Sequence, residues 1–369
     1  MLEGRILDSL AAIPPADWDA CFGDPLEGHA YHLAIETAAL KGFTFFYVAV
    51  YDHARLVGAA PAFLTQYDLA TTIDNLHLGR AIKQVQNLIP GFLRVRLAAL
   101  GSPCTEHVML GVSEPGRTYA IVDCLLRTFE AGAKARGGRL LAIKDLSDEA
   151  PKEWAACIED LGYGFVTGLP SSELRIDFES TDAYLSRLTP GTRRDMRRKL
   201  RSREHLRCED VTSLRAYAPR VMALYEDTLA RADMTLEELS FDYFESVLSL
   251  MPNQAICRLY FHGETLLAVN LLLHDQNTLL DKYFLMAPEG RAYNLYFVSW
   301  FDNVALCLER GLRRFQTGQA AYANKLRLGV DLIGTRMAFK HKNGLLSFGL
   351  RLIAPLVSAD LSPEALRNE

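Results

Sequence analysis

A stretch that occurs twice limits what this chain can fold into more than any other feature. EPGRTYAIVDCLLRTFEAGAKARGGRLLAI begins at Glu114, and EGRAYNLYFVSWFDNVALCLERGLRRFQ begins at Glu289. Both contain GRxY, as Gly116, Arg117 and Tyr119 in the first and Gly290, Arg291 and Tyr293 in the second. Apolar residues then recur with helical spacing, and in the second copy Leu295, Val298, Phe301, Ala305 and Leu308 mark the expected buried face. Each copy reaches a glycine 21 residues after the first one, Gly137 and Gly311, where a helix needs a left-handed residue to end. A strand-like apolar run follows in both. Upstream, FFYVAVYDHARLVGAAPAFLT and AICRLYFHGETLLAVNLLLH both read strand, polar turn, strand, with Tyr51-Asp52-His53 set against Tyr260-Phe261-His262. The first copy carries an insert, residues 66–101, in which AIKQVQNLI reads as a helix. The pattern breaks at GLPSS, so the expected domains are 1–168 and 169–369. Each is a mixed, mostly antiparallel sheet flanked by helices, an α/β (α+β layered) class.

Composition narrows the partners. The chain has 369 residues, 49% hydrophobic and 23% charged, which is enough apolar sequence for two cores. Its net charge of −5 argues against a dedicated DNA binder, whose domain is usually basic throughout. The seven cysteines are scattered, odd in number and lack CxxC spacing, so reduced thiols are expected, with no zinc site and no other metal. MLEGRILDSLAAIPP has no signal-peptide pattern, no apolar run is long enough to span a bilayer, and a cytoplasmic location is the expectation.

Against this background, TRRDMRRKLRSREHLR, residues 192–207, packs 8 Lys or Arg into 16 positions. Thr192 with Asp195 reads as a capping box, and Pro190 as the stop of what precedes it. Met196 and Leu200 share one helix face, and Arg193, Arg197 and Arg201 another. Such a stripe is either solvated or faces phosphate, for which Arg is the bidentate donor; coenzyme A, a nucleotide-linked substrate, tRNA and anionic lipid headgroups all qualify. The two GR turns raise the same chemistry, because a helix start offers backbone N–H groups and a dipole that favour phosphate.

Antiparallel strands followed by a helix whose N-terminus grips pyrophosphate resemble the plan of the GNAT acyltransferases. Two such halves look like the Fem-type aminoacyltransferases and their FemAB-like predicted N-acyltransferase relatives. YLSRLTPGTRRDMRRKLR resembles the basic segment that opens the acyltransferase domain there, and ERGLRRFQTGQAAYANKLRLG resembles their strand, Gly, then Lys pattern, with Gly318, Lys325, Arg327 and Gly329 in register. The usual Q/R-x-x-G-x-G/A loop is degenerate: Arg291 is kept, but Asn294 and Tyr296 stand where glycines are usual. Gln316 stands where relatives often have an acid.

The resemblance implies transfer of an acyl group from acyl-CoA, a co-substrate and not a bound cofactor, to a small-molecule amine. An aminoacyl-tRNA donor and a non-catalytic GNAT-like binding protein are the alternatives. Arg291, Tyr293, Asn294, Leu295 and Tyr296 are the expected donor-binding residues. Lys325 is read either as a surface lysine or as a contact to the oxyanion. Asp281 and Tyr283, placed on one strand face by alternation, would serve as proton acceptor and donor. In SPCTEH, residues 102–107, Glu106 or His107 is expected to face an interdomain cleft, and Cys104 with His107 is a weaker nucleophile candidate. Arg193, Arg194, Arg197, His107 and Tyr322 complete the candidate substrate contacts. The tail LLSFGLRLIAPLVSADL is read as a last strand and helix of the second domain, or as a weak membrane-surface contact beside the basic helix.

Overall fold

The computed structural model describes residues 1–23, 25–68, 94–231, 236–344 and 347. The AIKQVQNLI stretch, expected to be helical, and the apolar tail lie outside the described residues, Ser347 apart. The chain forms two compact units, divided at Pro170/Ser171 and again at Ile333/Gly334, with Leu33–Leu40 counted with the second. The first stretch carries β1 (Leu2–Leu7), α1 (Pro15–Phe22), α2 (His29–Thr37), β2 (Phe43–Asp52), β3 (Arg55–Asp68), β4 (Arg94–Leu100), β5 (Gly111–Val112), α3 (Thr118–Ala135), β6 (Leu140–Ser147), α4 (Lys152–Asp160) and β7 (Gly164–Thr167). The second carries β8 (Ser171–Arg175), α5 (Thr181–Arg187), α6 (Pro190–Leu200), β9 (Arg207–Val211), α7 (Ala218–Leu229), α8 (Phe241–Leu250), β10 (Ala255–His262), β11 (Thr265–His274), β12 (Thr278–Met286), α9 (Leu295–Arg310), β13 (Arg314–Gln316), α10 (Tyr322–Arg327) and β14 (Asp331–Ile333). A last strand, β15 (Thr335–His341), follows.

Both sheets have one topology. The first runs β1-β2-β3-β4-β6-β15-β7 and the second β9-β10-β11-β12-β13-β8-β14. In each, four antiparallel strands are followed by a parallel step, β4 to β6 and β12 to β13, which a long helix bridges. Gly116 and Gly290 sit in equivalent 3-10 turns just before those helices, and Gly137 and Gly311 end them at φ +79° and +68°. The repeat in the sequence is therefore a repeat of the fold. One detail shifts: His53 and Gly263, both at φ +55°, open the two hairpin turns, so Asp52 matches His262 and the sequence match was one residue out. The linear division at 168/169 also fails at β15. This strand lies in the first sheet, between β6 and β7, because its antiparallel ladders form there.

Each long helix lies on its sheet through an apolar stripe. In α3, Ile121, Val122, Leu125, Leu126 and Phe129 are fully buried against Phe46, Val48, Val50 and Val57, each side chain contributing about 1.5–3 kcal/mol. The approach is close enough to require glycine: a Cβ on Gly58 would meet Ile121 Cγ2 at 2.5 Å. In α9, Leu295, Val298, Phe301 and Val304 are buried, but Ala305 is exposed, because the buried arc has turned past it. The second sheet carries helices on both faces, α9 on one and α7 with α8 on the other.

Candidate active site

The second sheet opens where its parallel pair ends. β12 and β13 pair at Thr278 with Arg314, Leu279 with Phe315 and Leu280 with Gln316. Beyond that point β13 stays with β8, the Thr317 N–H donating to the Ser172 carbonyl at 2.9 Å. β12 runs on to Met286 beside β11 alone. Among the described residues no strand pairs with its other edge from Asp281 onward. The far end of that edge is closed by α7 and the residues after it: Met286 N–H donates to Thr228 Oγ1 at 3.1 Å, and its carbonyl accepts from Arg231. What remains is a slot of main chain, residues 281–285, with hydrogen-bonding groups of the kind an extended ligand can pair with.

A bulge sits at the mouth of this slot. Leu271 faces Tyr283 and Leu272 faces Asp281, so Lys282 is the extra residue. A bulge breaks alternation, and Asp281 and Tyr283 consequently lie on opposite faces, not on one as strict alternation predicts. Asp281 faces α9, where its carboxylate accepts from Asn303 Nδ2 at 3.3 Å. Tyr283 faces α8, its ring edge-on to Tyr243 and Phe244 and its hydroxyl donating to Glu237 Oε1 at 3.1 Å.

Helix α9 begins beside the slot. Phe297 and Val298 N–H groups both donate to the Asn294 carbonyl, at 2.9 and 3.0 Å, which leaves the first-turn N–H groups of Leu295 and Tyr296 for a ligand. Asn294 takes φ +53°, the left-handed conformation that a loop glycine would supply; Asn is among the few other residues that adopt it readily. Tyr296, where a glycine is usual, does not stand over the helix start. Its ring turns inward against Phe284, its hydroxyl is buried, and burial with the nearby Asp281 charge pushes its phenol well above the usual range. Leu295 is wholly buried and offers only its backbone, while the Tyr293 ring lies tilted by 32° against His262, centroids 4.5 Å apart. The Arg291 guanidinium is exposed and has no partner among the described residues.

The basic segment reaches the same place. Helix α6 starts one turn earlier than the capping-box reading predicts: Thr189 is the cap, accepting from Thr192 N–H at 3.3 Å. Pro190 opens this helix, since its fixed φ and missing N–H suit the first position. Met196 is fully buried, and five of the eight cations find partners inside the unit. Arg193 donates to the Ser186 carbonyl; Arg198 and Lys199 meet Asp195; Arg203 meets Asp302; Arg207 meets Glu209. Arg198, Lys199 and Arg327 hold the Asp195 carboxyl down at about 2. Arg194, Arg197 and Arg201, spaced i, i+3, i+7, are exposed and have no guanidinium partner among the described residues. Ser202 Oγ accepts from Asn294 Nδ2 at 3.0 Å, tying the end of the segment to the α9 start.

Lys325 is not a surface lysine. It is 4% exposed, and its ammonium donates to the Thr317 carbonyl and, at 2.9 Å, to that of Gly318. Those carbonyls converge because Gly318 and Ala321 take positive φ, +79° and +56°. Lys325 thus orders the loop that leaves the slot, and half-buried Tyr322 opens the short helix that carries it.

Comparison with known proteins agrees with this geometry. Residues 191–326 match the acetyltransferase (GNAT) domain family. FemX superposes with a TM-score of 0.58 at 14% identity, over 91% of this chain and 96% of its own. A tandem GNAT protein from the clavulanic acid biosynthesis pathway, solved without AcCoA, gives 0.55 at 13% identity, over 93% of this chain and 99% of its own. The chain has the FemAB-like tandem GNAT fold. No curated protein matches it by sequence.

The two GNAT-like units differ in what they leave open. In the first, β4 stops at Leu100 and the loop after it fills the equivalent place: Val108 N–H donates to the Asp145 carbonyl at 3.0 Å and Lys144 Nζ to the Thr105 carbonyl at 2.7 Å. Glu106 and His107 belong to this loop of the first unit. Glu106 is 9% exposed, and Cys104 is buried with its carbonyl accepting from the Tyr31 hydroxyl. Arg117, the counterpart of Arg291, is spent on Asp52 and Glu114, at 2.7 and 2.8 Å. The second GNAT-like unit therefore keeps both the slot and an arginine without a partner among the described residues. Sequence reasoning missed Glu237, Asn303 and Ser202. The first two are joined to the strand only by tertiary packing, and Ser202 is hidden in the charge run. Among the described residues no cluster of His, Cys, Asp or Glu could hold a metal, and no helix is long and apolar enough to cross a membrane.

Proposed function

We propose that the protein is an N-acyltransferase that moves an acyl group from acyl-CoA to a small-molecule amine in the cytoplasm. The observation that carries this reading is the conjunction, in the second unit, of a strand edge along which no other strand pairs beyond β13 with a helix start whose first N–H groups and neighbouring Arg291 have no partner among the described residues. A pantetheine arm has amides to pair along β12, and a pyrophosphate suits Leu295 N–H, Tyr296 N–H and Arg291. The amine attacks the thioester directly, so the enzyme contributes positioning and backbone stabilisation of the oxyanion. Native mass spectrometry with acetyl-CoA, followed by release of free thiol on adding amine, tests it. A complex that never turns over with any amine would favour a non-catalytic binding protein.

A second reading, an aminoacyl-tRNA donor, draws on the ridge of Arg194, Arg197 and Arg201. Three phosphate contacts give a slope of log K on log salt of roughly −2 to −3. Tight binding of charged tRNA with such a slope, lost in the Arg194→Glu, Arg197→Glu double variant, would put this reading first.

A further inference from the structure

The donor reading leaves the acceptor side open, and the bulge in β12 points to it. A nucleophile reaches a carbonyl carbon from above or below the carbonyl plane. On the α9 face of the slot, Asp281, Asn303 and the inward-turned Tyr296 fill the space, and the helix start lies beside them. On the opposite face, at the first residue past the bulge, stands Tyr283 with Glu237. The Tyr243 and Phe244 rings, 5.6 and 6.0 Å away, hold the Tyr283 ring, and its hydroxyl donates to Glu237 Oε1 at 3.1 Å. The chain just after Glu237 is pinned as well, Leu239 N–H donating to the Tyr225 hydroxyl at 2.8 Å. The result is a half-buried carboxylate, fixed by a phenol at the level where β12 leaves its alternation.

Resting on the donor reading above, we infer that Glu237 binds the acceptor as a cationic primary alkylamine and takes its proton, with Tyr283 as the residue that positions it. An alkylamine with a pKa of about 10.4 is an ammonium at neutral pH, and only its free base attacks. The Glu237 carboxylate pairs with the ammonium and accepts one proton. The amine nitrogen then bonds to the acyl carbon, the C–S bond breaks, and the second nitrogen proton goes to the departing thiolate. The products are the amide and the free thiol, and Glu237 returns its proton to water. The acceptor class follows: an aliphatic primary amine, not a hydroxyl and not a weakly basic aryl amine.

Two nucleophiles separate this role from a structural one. The wild type and Glu237→Gln are compared with acetyl-CoA and either n-butylamine, charged at neutral pH, or hydroxylamine, uncharged there. Thiol release is the readout, and calorimetry confirms that both proteins bind acetyl-CoA. The expected result is a loss of about 100-fold with butylamine and less than about threefold with hydroxylamine. Tyr283→Phe should show the same selectivity with a smaller loss, and Glu237→Asp should keep part of the butylamine rate. Equal losses with both nucleophiles, no loss with butylamine, or a wild type that binds acetyl-CoA yet acylates butylamine no faster than the variant would overturn the inference. No binding of acetyl-CoA to the wild type would instead overturn the donor reading, and this one with it.

Discussion

At the scale of single residues, the structure turns a candidate catalyst into a staple. Lys325 satisfies two loop carbonyls from a buried position. Replacing it by Met removes the donor and leaves those carbonyls without it, a cost of about 1–3 kcal/mol. Lys325→Met is therefore expected to lower Tm clearly; a melting curve that overlays the wild type would contradict the buried staple. Asn294 gives a second test. At φ +53° a Cβ-bearing residue without a short polar side chain is strained, so Asn294→Ala should be less stable than Asn294→Gly by about 1 kcal/mol, both variants having lost the bond to Ser202. Urea midpoints measure the difference, and equal values would mean that the left-handed turn carries no strain. The glycine pattern of the loop was legible as absent; that Asn would supply its conformation was not, because φ is set by the turn around it.

Elements were legible where one periodicity governs them. The two long helices and their glycine stops follow from apolar spacing and the left-handed residue a helix end needs, and the structure has both. The β12 bulge was not legible. It depends on the register with β11, and with it went the expectation that Asp281 and Tyr283 share a face. The basic helix was half legible: its charge is plain in the sequence, but which cations are spent on Asp195, Asp302 and Glu209 is a tertiary fact. Its start rests on Thr189, and Thr189→Ala should cost about 1 kcal/mol by denaturant titration. Asp195 makes the helix sensitive to acid. Its folded pKa lies below the unfolded value, so its contribution is full above the unfolded pKa and is lost as pH falls towards about 2. The stability gap between wild type and Asp195→Asn should be constant near neutral pH and close between about pH 4 and pH 2; a gap that persists in strong acid would show that the carboxylate is not what the cations hold.

At the scale of the whole molecule, a tandem repeat in sequence is not a pair of independent domains in the fold. β15, the last strand among the described residues, pairs with β6 and β7 of the first sheet. In the sheet order β7 has no other neighbour, so a fragment of residues 1–168 should stay unfolded, while the same fragment with Thr335–His341 linked to it should fold. A well-dispersed amide spectrum from 1–168 alone would contradict this. Under the proposed function the donor site lies in the second unit, and Arg291 and Arg117 provide an internal control. They stand at equivalent turns; one guanidinium has no partner among the described residues, and the other is bound to Asp52 and Glu114. Calorimetric titration with acetyl-CoA tests the difference most directly. The expected result is one site per chain, weakened about tenfold by Arg291→Ala, or about 1.4 kcal/mol, and unchanged by Arg117→Ala. No binding to the intact protein, or the same loss from both variants, would contradict it.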